Sequence, residues 1–196
     1  MKQRQLGQDT NKLGQSLLPV LPEAMINPAF VIVSGLPGTG KSFFCRRLAE
    51  RTSFCILESD VVRKALFPFP CYSAEESAHL FSICHNFIEE LLHEGIPLIF
   101  DATNLSERNR ERLYRISDKT GAKLILVCVE APAEVVYQRM KARKSGMDPD
   151  NRSDADYEVY RQMQPTVDRI QRNHLVVDTS RDIMPVIDKI MRMINH

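Results

Sequence analysis

Residues 35–42 read Gly-Leu-Pro-Gly-Thr-Gly-Lys-Ser, which has the spacing G-x-x-x-x-G-K-[ST]. The apolar run at 29–33 predicts a buried strand before this segment, and residues 43–50 predict a helix after it. A glycine-rich turn between a strand and a helix points its backbone N–H groups inward, where they can cradle phosphate oxygens. The segment therefore predicts a phosphate-binding loop at the start of a helix, whose dipole favours the same anion.

The residue types within this loop indicate how it would bind a nucleotide. Lys41 would reach the β- and γ-phosphates of ATP, and the Ser42 hydroxyl would ligate Mg²⁺. The glycines are needed because a Cβ atom would block the tight turn and the close approach of the backbone to phosphate. We expect the whole loop to bind ATP: Gly35, Leu36, Pro37, Gly38, Thr39, Gly40, Lys41 and Ser42.

The overall composition limits the class of protein. The 196 residues are 43% hydrophobic and 26% charged, which is typical of one globular domain with a substantial core. No stretch approaches the ~20 apolar residues of a membrane-spanning helix. The formal net charge of +1 offers no general attraction for nucleic acid or anionic lipid, although a local basic site stays open. Five scattered cysteines without a C-x-x-C spacing indicate reduced thiols, so we expect a cytoplasmic protein.

The N-terminal residues 1–27 differ from the rest of the chain. Residues 1–15 are polar and rich in glutamine, and prolines interrupt the short apolar run that follows. This pattern predicts a flexible or loosely docked tail, with Leu17, Leu18 and Leu21 available to pack on the domain, and no secretory signal. Residues 28–196 are then expected to form the main domain.

Apolar runs alternate with stretches of helical periodicity along the chain. We predict strands at 29–33, 54–57, 97–100, 123–129 and 175–177, and helices at 43–50, 60–66, 73–94, 106–120, 133–144, 153–164 and 182–194. Helices between continuous apolar strands favour an α/β fold whose parallel sheet is covered on both faces. Ligands of such sheets bind beyond the carboxyl ends of the strands, so polar residues there are the candidate site.

Two acidic residues follow predicted strands. Asp101 comes after Leu98-Ile99-Phe100, the position of a carboxylate that holds Mg²⁺ directly or through water. The alternative is an aspartate that caps the next turn. Asp60 follows the second strand and shares a helix face with Arg63, so Asp60 would accept the proton of a substrate hydroxyl while Arg63 holds the acceptor. The alternative for this pair is a helix-capping aspartate beside a surface arginine.

Arg139 and Arg143 are four residues apart at the end of a predicted helix and precede a loop with glycine and proline. Guanidinium groups suit phosphate, and a lid at about 139–153 would close them over the γ-phosphate. Lys141 and Lys144 leave open that this is an ordinary solvated basic helix end. A second basic stripe at 108–119 is interspersed with acids, which favours an exposed helix face over a nucleic-acid contact.

Four segments together resemble one group of enzymes. They are the loop at 35–42, Ser-Asp-Val-Val-Arg-Lys at 59–64, Phe-Asp-Ala-Thr-Asn-Leu at 100–105 and Arg-Met-Lys-Ala-Arg at 139–143. From about residue 30 to 178 the chain resembles the P-loop kinases of the polynucleotide-kinase-like group, which are related to zeta toxins and to chloramphenicol and gluconate kinases. The resemblance implies a three-layer P-loop NTPase fold, with five parallel strands in the order 2-3-1-4-5, helices on both faces and a small lid.

The resemblance also implies roles for the acceptor side of the site. Asp60 would be the general base on the acceptor hydroxyl, with Arg63 beside it. Asp101 would work near the metal and the acceptor. Thr103 and Asn104 would lie near the substrate.

On the nucleotide side, the resemblance makes Arg139 and Arg143 the two arginines of the lid. Arg143 would be the nearer of the two to the γ-phosphate. Thr179, in the loop after the last strand, would lie near the adenine.

Three functions remain open from the sequence. The favoured one is an Mg²⁺-dependent kinase that moves the γ-phosphoryl group of ATP to a hydroxyl of a small molecule. A kinase for the 5′-hydroxyl of a nucleic-acid end is supported by the motifs and weakened by the near-neutral charge. The third is a regulatory protein that binds or hydrolyses ATP without an acceptor.

Residues 63–92 are expected to build the acceptor pocket, including Phe67, Phe69, Tyr72 and His79. No sequence pattern indicates the identity of the acceptor or the oligomeric state.

Overall fold

The computed structural model describes residues 21–144 and 155–195. Its strands are β1 (Ala29–Ser34), β2 (Cys55–Glu58), β3 (Leu98–Asp101), β4 (Lys123–Glu130) and β5 (Leu175–Asp178). They form one parallel sheet in the order β2-β3-β1-β4-β5. The predicted parallel α/β sheet and the strand order implied by the resemblance are both confirmed.

Helices cover both faces of this sheet. They are α1 (Lys41–Thr52), α2 (Ser59–Leu66), α3 (Ala74–His93), α4 (Glu107–Thr120), α5 (Ala133–Lys144), α6 (Tyr157–Met163) and α7 (Met184–Asn195). The side chains of β1 alternate between two cores, since successive residues of a strand point to opposite faces. Phe30 and Ile32 pack with α2, α3 and α4, whereas Val31 and Val33 pack with α1 and α7. The continuous apolar run of β1 therefore reflects burial on both sides.

Two helices, α6 and α7, begin more than one residue later than the sequence predicts. The N-cap of α6 is Asp156, whose side chain accepts a hydrogen bond from the N–H of Val159 at 3.1 Å, and the predicted start at Ser153 lies outside the described residues. The predicted start of α7 was Asp182, but its carboxylate accepts a bond from the N–H of Met184 at 2.9 Å. An aspartate that satisfies a free N–H of the first turn lies before the helix and not inside it.

Part of the predicted tail and lid can be compared with the structure. Leu17, Leu18 and residues 145–153 of the predicted lid lie outside the described residues. Residues 21–27 run beside the turn between α3 and β3, where the N–H of Met25 donates to the carbonyl of Gly95 at 2.7 Å. Leu21 keeps 43% of its surface exposed, so it is only partly packed.

All five cysteines are free thiols, in agreement with the sequence analysis. Cys45, Cys55 and Cys84 are buried, whereas Cys71 is exposed. Within residues 21–144 and 155–195, no cluster of three or more histidine, cysteine, aspartate or glutamate side chains is arranged to hold a metal ion. In the same part of the chain, no helix combines the length and the apolar character needed to cross a membrane.

A completely buried arginine, Arg110, ties the loop after β3 to the segment before β5. Its Nε donates to the carboxylate of Glu107 at 2.7 Å, and its Nη1 donates to the carbonyl of Asn104. Its Nη2 donates to the carbonyl of Asp168 at 2.7 Å. No sequence pattern indicates this role, because Arg110 lies in a helix whose other arginines form an exposed stripe. The contact fixes the loop that leads from Asp101 to α4.

Replacing Arg110 by methionine should destabilise the protein by about 3 kcal/mol, because two backbone carbonyls and a carboxylate lose their charged donor. The free energy of unfolding in urea measures this effect. Arg115→Met is the matched control, since the Arg115 side chain on the same helix is 79% exposed and should change stability by less than about 0.5 kcal/mol. Equal stability of the two variants would contradict the structural role of Arg110.

His85, on α3, gives the core a dependence on pH. Burial lowers the pKa of His85 to about 4, and the nearby charge of Arg112 acts in the same direction. The unfolded chain binds this proton near pH 6.5, so unfolding is increasingly favoured as the pH falls from about 6.5 to 4. We expect His85→Met to remove about 2–3 kcal/mol of this loss of stability.

Urea unfolding at pH 7.5 and at pH 4.5 tests the His85 prediction. Other groups also titrate in this range, so the comparison is with His93→Met, whose histidine side chain is 52% exposed. The free energy of unfolding should differ less between the two pH values for His85→Met than it does for the wild type and for His93→Met. The same pH dependence in all three proteins would show that His85 does not contribute.

Candidate active site

The loops that follow the strands enclose one cavity of about 970 Å³ at the carboxyl edge of the sheet. Most of the residues singled out from the sequence line it: Pro37, Gly38, Gly40, Lys41, Ser42, Asp60, Arg63, Asp101, Thr103, Arg139, Arg143 and Thr179. Four others do not: Gly35, Leu36, Thr39 and Asn104. The position agrees with the rule that ligands of parallel sheets bind beyond the carboxyl ends of the strands.

The loop at 35–42 is packed so closely that glycine is required in it. A Cβ atom on Gly38 would lie 2.8 Å from side-chain atoms of Val136 and Met140, both on α5. Gly40 has a φ of +94° and would contact the side chain of Thr179 at 3.0 Å. Other residues adopt this left-handed conformation only with strain. The loop is therefore held between α5 and the segment after β5.

The side chain of Lys41 lies over its own loop and close to two carboxylates. Its Nζ donates to the carbonyl of Leu36 at 3.0 Å. Burial lowers the pKa of Lys41, while the negative charges of Asp101 and Asp60 oppose that shift. One lysine thus stands near both acids that the sequence singled out.

Asp101 is the last residue of β3 and is buried. Burial raises the pKa of Asp101, while the charge of Lys41 and the neighbouring Ser42 hydroxyl act against this. A carboxylate and a hydroxyl are hard oxygen donors of the kind that Mg²⁺ prefers. Ser42 and Asp101 therefore fit a magnesium ion, and neither is used as a helix cap.

Arg63 lies on the cavity wall, and its charge already has a partner within the protein. It is buried and ion-paired with Glu76 of α3, and its Nη2 donates to the Ser77 hydroxyl at 3.3 Å. Its guanidinium also stacks over the ring of Tyr72, 4.7 Å from the ring centroid. The Arg63 charge is therefore matched inside the protein, whereas a residue that binds an anionic acceptor would keep it available.

Glu76 is a site residue that the sequence analysis missed. The spacing of Ser73 and Glu76 predicts a capping box, and the Ser73 hydroxyl does accept a bond from the N–H of Glu76 at 3.1 Å. The Glu76 carboxylate instead accepts bonds from the N–H groups of Cys71 at 2.7 Å and Tyr72 at 3.3 Å. No spacing rule could indicate its pairing with Arg63, since that contact depends on how α2 and α3 pack.

Arg139 lines the cavity, and its guanidinium is hydrogen-bonded within the protein. Its Nη1 donates to the hydroxyl of Thr179 at 2.8 Å and to the carbonyl of Thr39 at 3.3 Å, and its Nη2 donates to the carbonyl of Thr179 at 2.9 Å. Burial and the neighbouring charge of Arg143 lower the pKa of Arg139. Arg139 thus joins the loop at 35–42 to the segment after β5, and Arg143 lines the cavity one turn later.

The predicted substrate residues Thr103 and Asn104 separate in the structure. Thr103 lines the cavity, and its carbonyl accepts a bond from the N–H of Gly35 at 3.0 Å. Asn104 is buried with a φ of +47°, and its side-chain amide donates to the carbonyl of Val33 at 2.7 Å. That left-handed turn directs Asn104 onto β1, so it joins β1 to the loop after β3 and does not face the cavity.

The range 63–92, expected to build the acceptor pocket, contributes Arg63, Tyr72, Ser77 and Phe81 to the cavity wall. Of the four aromatic and histidine side chains named from the sequence, only Tyr72 lines the cavity. Phe67 packs against His79, with ring centroids 6.1 Å apart, and Phe69 is 93% exposed. The sequence analysis did not place Val159 and Met163 of α6 in this wall.

Residues 30–170 match the AAA domain family. The chain belongs to this family. It is 25% identical, over 124 residues, to UPF0200 proteins of Saccharolobus islandicus and Saccharolobus solfataricus, and the match covers 58% of this chain and 63% of theirs. The chain thus spans less than two thirds of the length of these curated relatives.

Several solved structures share the fold. A candidate kinase from Chloroflexus aurantiacus superposes with a TM-score of 0.67 at 22% identity, covering 85% of this chain and 98% of that one. A gluconokinase from Sinorhizobium meliloti 1021 gives 0.60 at 18% identity, with coverage of 85% and 91%. The APS kinase CysC of Mycobacterium tuberculosis, in complex with AMPPNP and APS, gives 0.61 at 16% identity, with coverage of 87% and 99%. The chain therefore has a P-loop kinase fold.

Proposed function

We propose that this chain transfers the γ-phosphoryl group of ATP to a hydroxyl group of a small molecule. The observation that carries the proposal is a single cavity lined by a phosphate-binding loop, by Lys41, by the Ser42–Asp101 pair and by Asp60. Phosphoryl transfer needs positioning, compensation of phosphate charge and a group that accepts the acceptor's proton. The chain has a candidate for each of these needs.

The nucleotide half of the cavity supports ATP as the donor. The backbone of the loop and the start of α1 suit the phosphates, and Lys41 and Arg143 would compensate the charge on the transferred group. Arg139 would act indirectly, since its bonds to Thr39 and Thr179 hold the loop in place. A protein of the same fold, the APS kinase, is described in complex with AMPPNP, an ATP analogue.

Ser42 and Asp101 would hold the magnesium ion that accompanies ATP. Bound there, Mg²⁺ would neutralise part of the phosphate charge. Both residues line the cavity, and the Ser42 hydroxyl is near enough to the Asp101 carboxylate to lower its pKa. This pairing supports the assignment, because both are oxygen ligands of the preferred kind.

Asp60 would accept the proton of the acceptor hydroxyl. The hydroxyl oxygen forms a bond to the γ-phosphorus, while the bond from that phosphorus to the oxygen bridging it to the β-phosphate breaks. ADP leaves with the electron pair of the broken bond, and the hydroxyl proton moves to the Asp60 carboxylate. Asp60 is on the cavity wall and close enough to Lys41 to affect its pKa, so the base and the phosphate-binding lysine face the same space.

A small-molecule acceptor is favoured over a nucleic-acid end. Two proteins of the same fold, a gluconokinase and an APS kinase, are named for small-molecule acceptors. The net charge of +1 gives no general attraction for a polyanion.

We propose residues 28–196 as the kinase domain and the cytoplasm as its location.

The test is transfer of label from γ-labelled ATP by the purified full chain, with Mg²⁺ or with EDTA. The acceptors are a cellular metabolite extract and, separately, a 5′-hydroxyl oligonucleotide. We expect Mg²⁺-dependent label on a small molecule. Label on the oligonucleotide alone would favour the polynucleotide kinase, and release of free phosphate alone would favour the regulatory ATPase.

A further inference from the structure

The cavity has two halves whose walls differ in charge. Helix α5 follows β4 and Thr179 follows β5, so Arg139, Arg143 and Thr179 lie on the β4–β5 side with the nucleotide-binding loop beside them. The segments that follow β2 and β3 line the opposite half, which is the place for the acceptor. These segments contribute Glu58, Asp60, Tyr72 and Phe81 to the wall of this acceptor half, and α6 adds the apolar side chains of Val159 and Met163.

The charge of Arg63 in the acceptor half is neutralised within the protein. Its partner Glu76 is also buried. Burial opposes the ionisation of Glu76, but hydrogen bonds from Cys71 and the contact with Arg63 outweigh this and lower the pKa of Glu76 to about 2. Glu76 therefore stays charged throughout the physiological pH range. An anion that entered this half would compete with a carboxylate already in place.

The other cation of the acceptor half is Arg46, on α1. Its charge acts on Asp101 and, together with that of Glu58, on Cys45, so Arg46 stands in an acidic neighbourhood. Among the described residues, the cations that line this half are Arg46 and Arg63, the acids that line it are Glu58 and Asp60, and Glu76 pairs with Arg63 behind the wall. The acceptor half thus has no excess of positive charge with which to bind a phosphate or a carboxylate.

Helix α6 adds apolar side chains to the wall of the cavity. It begins beside α5, where the rings of Tyr157 and Tyr137 lie 5.0 Å apart. The chain after it reaches the loop following β3, where the N–H of Asp168 donates to the carbonyl of Leu105 at 3.0 Å. Val159 and Met163 of α6 line the cavity along this path.

We propose that the acceptor is a hydroxyl compound without a phosphate or carboxylate group, which packs an apolar or aromatic face against Tyr72, Phe81 and Met163. This inference rests on the proposed kinase function and specifies its substrate class. Apolar walls with few polar groups select shape and apolar area, and the acidic balance disfavours an anion in the same place. The hydroxyl of such a compound would meet Asp60.

The first test separates a cellular metabolite extract on an anion-exchange resin at neutral pH. The flow-through contains uncharged and cationic compounds, and the salt eluate contains anions. Each pool is incubated with γ-labelled ATP, Mg²⁺ and the full chain, and labelled products are identified by mass spectrometry. We expect label in products from the flow-through. Label only from the eluate would overturn the inference and leave the kinase function standing, whereas no label from either pool would contradict both.

The second test changes the charge balance of the acceptor half. Glu76→Gln keeps the size of the side chain but leaves the Arg63 charge without its counter-ion. We expect the ratio of transfer to anionic over uncharged acceptors to rise about tenfold or more. Glu75→Gln, at the exposed neighbouring position, is the matched control and should leave this ratio unchanged. An equal ratio in both variants would overturn the proposed role of the pair.

A third variant keeps the inference testable where Glu76→Gln fails to fold. Phe81 is half-buried in the folded protein, and Phe81→Ala removes apolar surface from the acceptor half. We expect the KM for the uncharged acceptor found in the flow-through to rise about five- to tenfold, with the KM for ATP unchanged. A rise in the KM for ATP, or no change in either constant, would contradict the placement of the acceptor against this residue.

Discussion

Replacing Lys41 by methionine should lower the rate of phosphoryl transfer by about 10²- to 10³-fold. The Nζ atom lies between the carbonyl of Leu36 and the two acids Asp101 and Asp60, so it stands where the phosphates of a bound nucleotide would need a cation. Methionine keeps most of the aliphatic stem but supplies no positive charge for the group in transfer. The initial rate of label transfer at saturating ATP measures the effect.

The matched control for Lys41→Met is Lys189→Met. Lys189 is exposed on α7 and does not line the cavity, so its loss should leave the transfer rate within about twofold of the wild type. Thermal unfolding of both variants excludes a general loss of structure. A Lys41→Met protein that is folded and keeps more than a tenth of the wild-type rate would contradict the assigned role of the loop.

The features that the sequence predicted well are those with a local cause. The loop at 35–42 is recognisable because tight backbone packing and phosphate binding both demand glycine at fixed positions. The strands β1 and β4 are recognisable because burial on both faces requires a continuous apolar run. The predicted helix starts were less accurate. Asp156 and Asp182 lie before their helices and accept hydrogen bonds from N–H groups of the first turn.

The features that the sequence did not predict depend on contacts between distant segments. In the sequence, Arg63 has no evident partner. Its partner Glu76 is thirteen residues away and comes into contact with it only because α2 packs on α3. Asn104 seemed to face a ligand until its left-handed backbone turned it onto Val33. Arg110 could not be told from its exposed neighbours, because its carbonyl partner at Asp168 is 58 residues away.

The contacts of Arg63 with Glu76 and of Arg139 with Thr39 and Thr179 agree with assigning the phosphate charge to Lys41 and Arg143, as the sequence analysis does. Arg63 and Arg139 then act on the site indirectly, through the contacts that Arg63 makes with Glu76 and that Arg139 makes with Thr39 and Thr179. Substitutions at these two positions should therefore affect stability together with activity, whereas a substitution of Asp60 should affect activity alone.

Asp60→Asn is expected to lower phosphoryl transfer to the acceptor hydroxyl by about 10²- to 10⁴-fold, the range that a general base contributes. Asparagine has nearly the same shape but cannot accept the hydroxyl proton. Asp60 lines the cavity from the first turn of α2, so the change leaves the nucleotide-binding loop in place. The kcat for transfer should fall, while the binding of ATP, measured by calorimetry with a non-hydrolysable analogue, should stay within about threefold of the wild type.

The control for Asp60→Asn is Asp118→Asn. Asp118 makes an exposed ion pair with Arg172 at 2.9 Å, and it does not line the cavity. Its loss removes the same charge from the protein and should leave kcat unchanged, since exposed pairs of this kind contribute little. A large fall in ATP affinity with unchanged kcat would show that Asp60 contributes to binding ATP and is not the general base. Unchanged transfer in both variants would mean that another group accepts the proton, because the reaction still has to remove it from the hydroxyl.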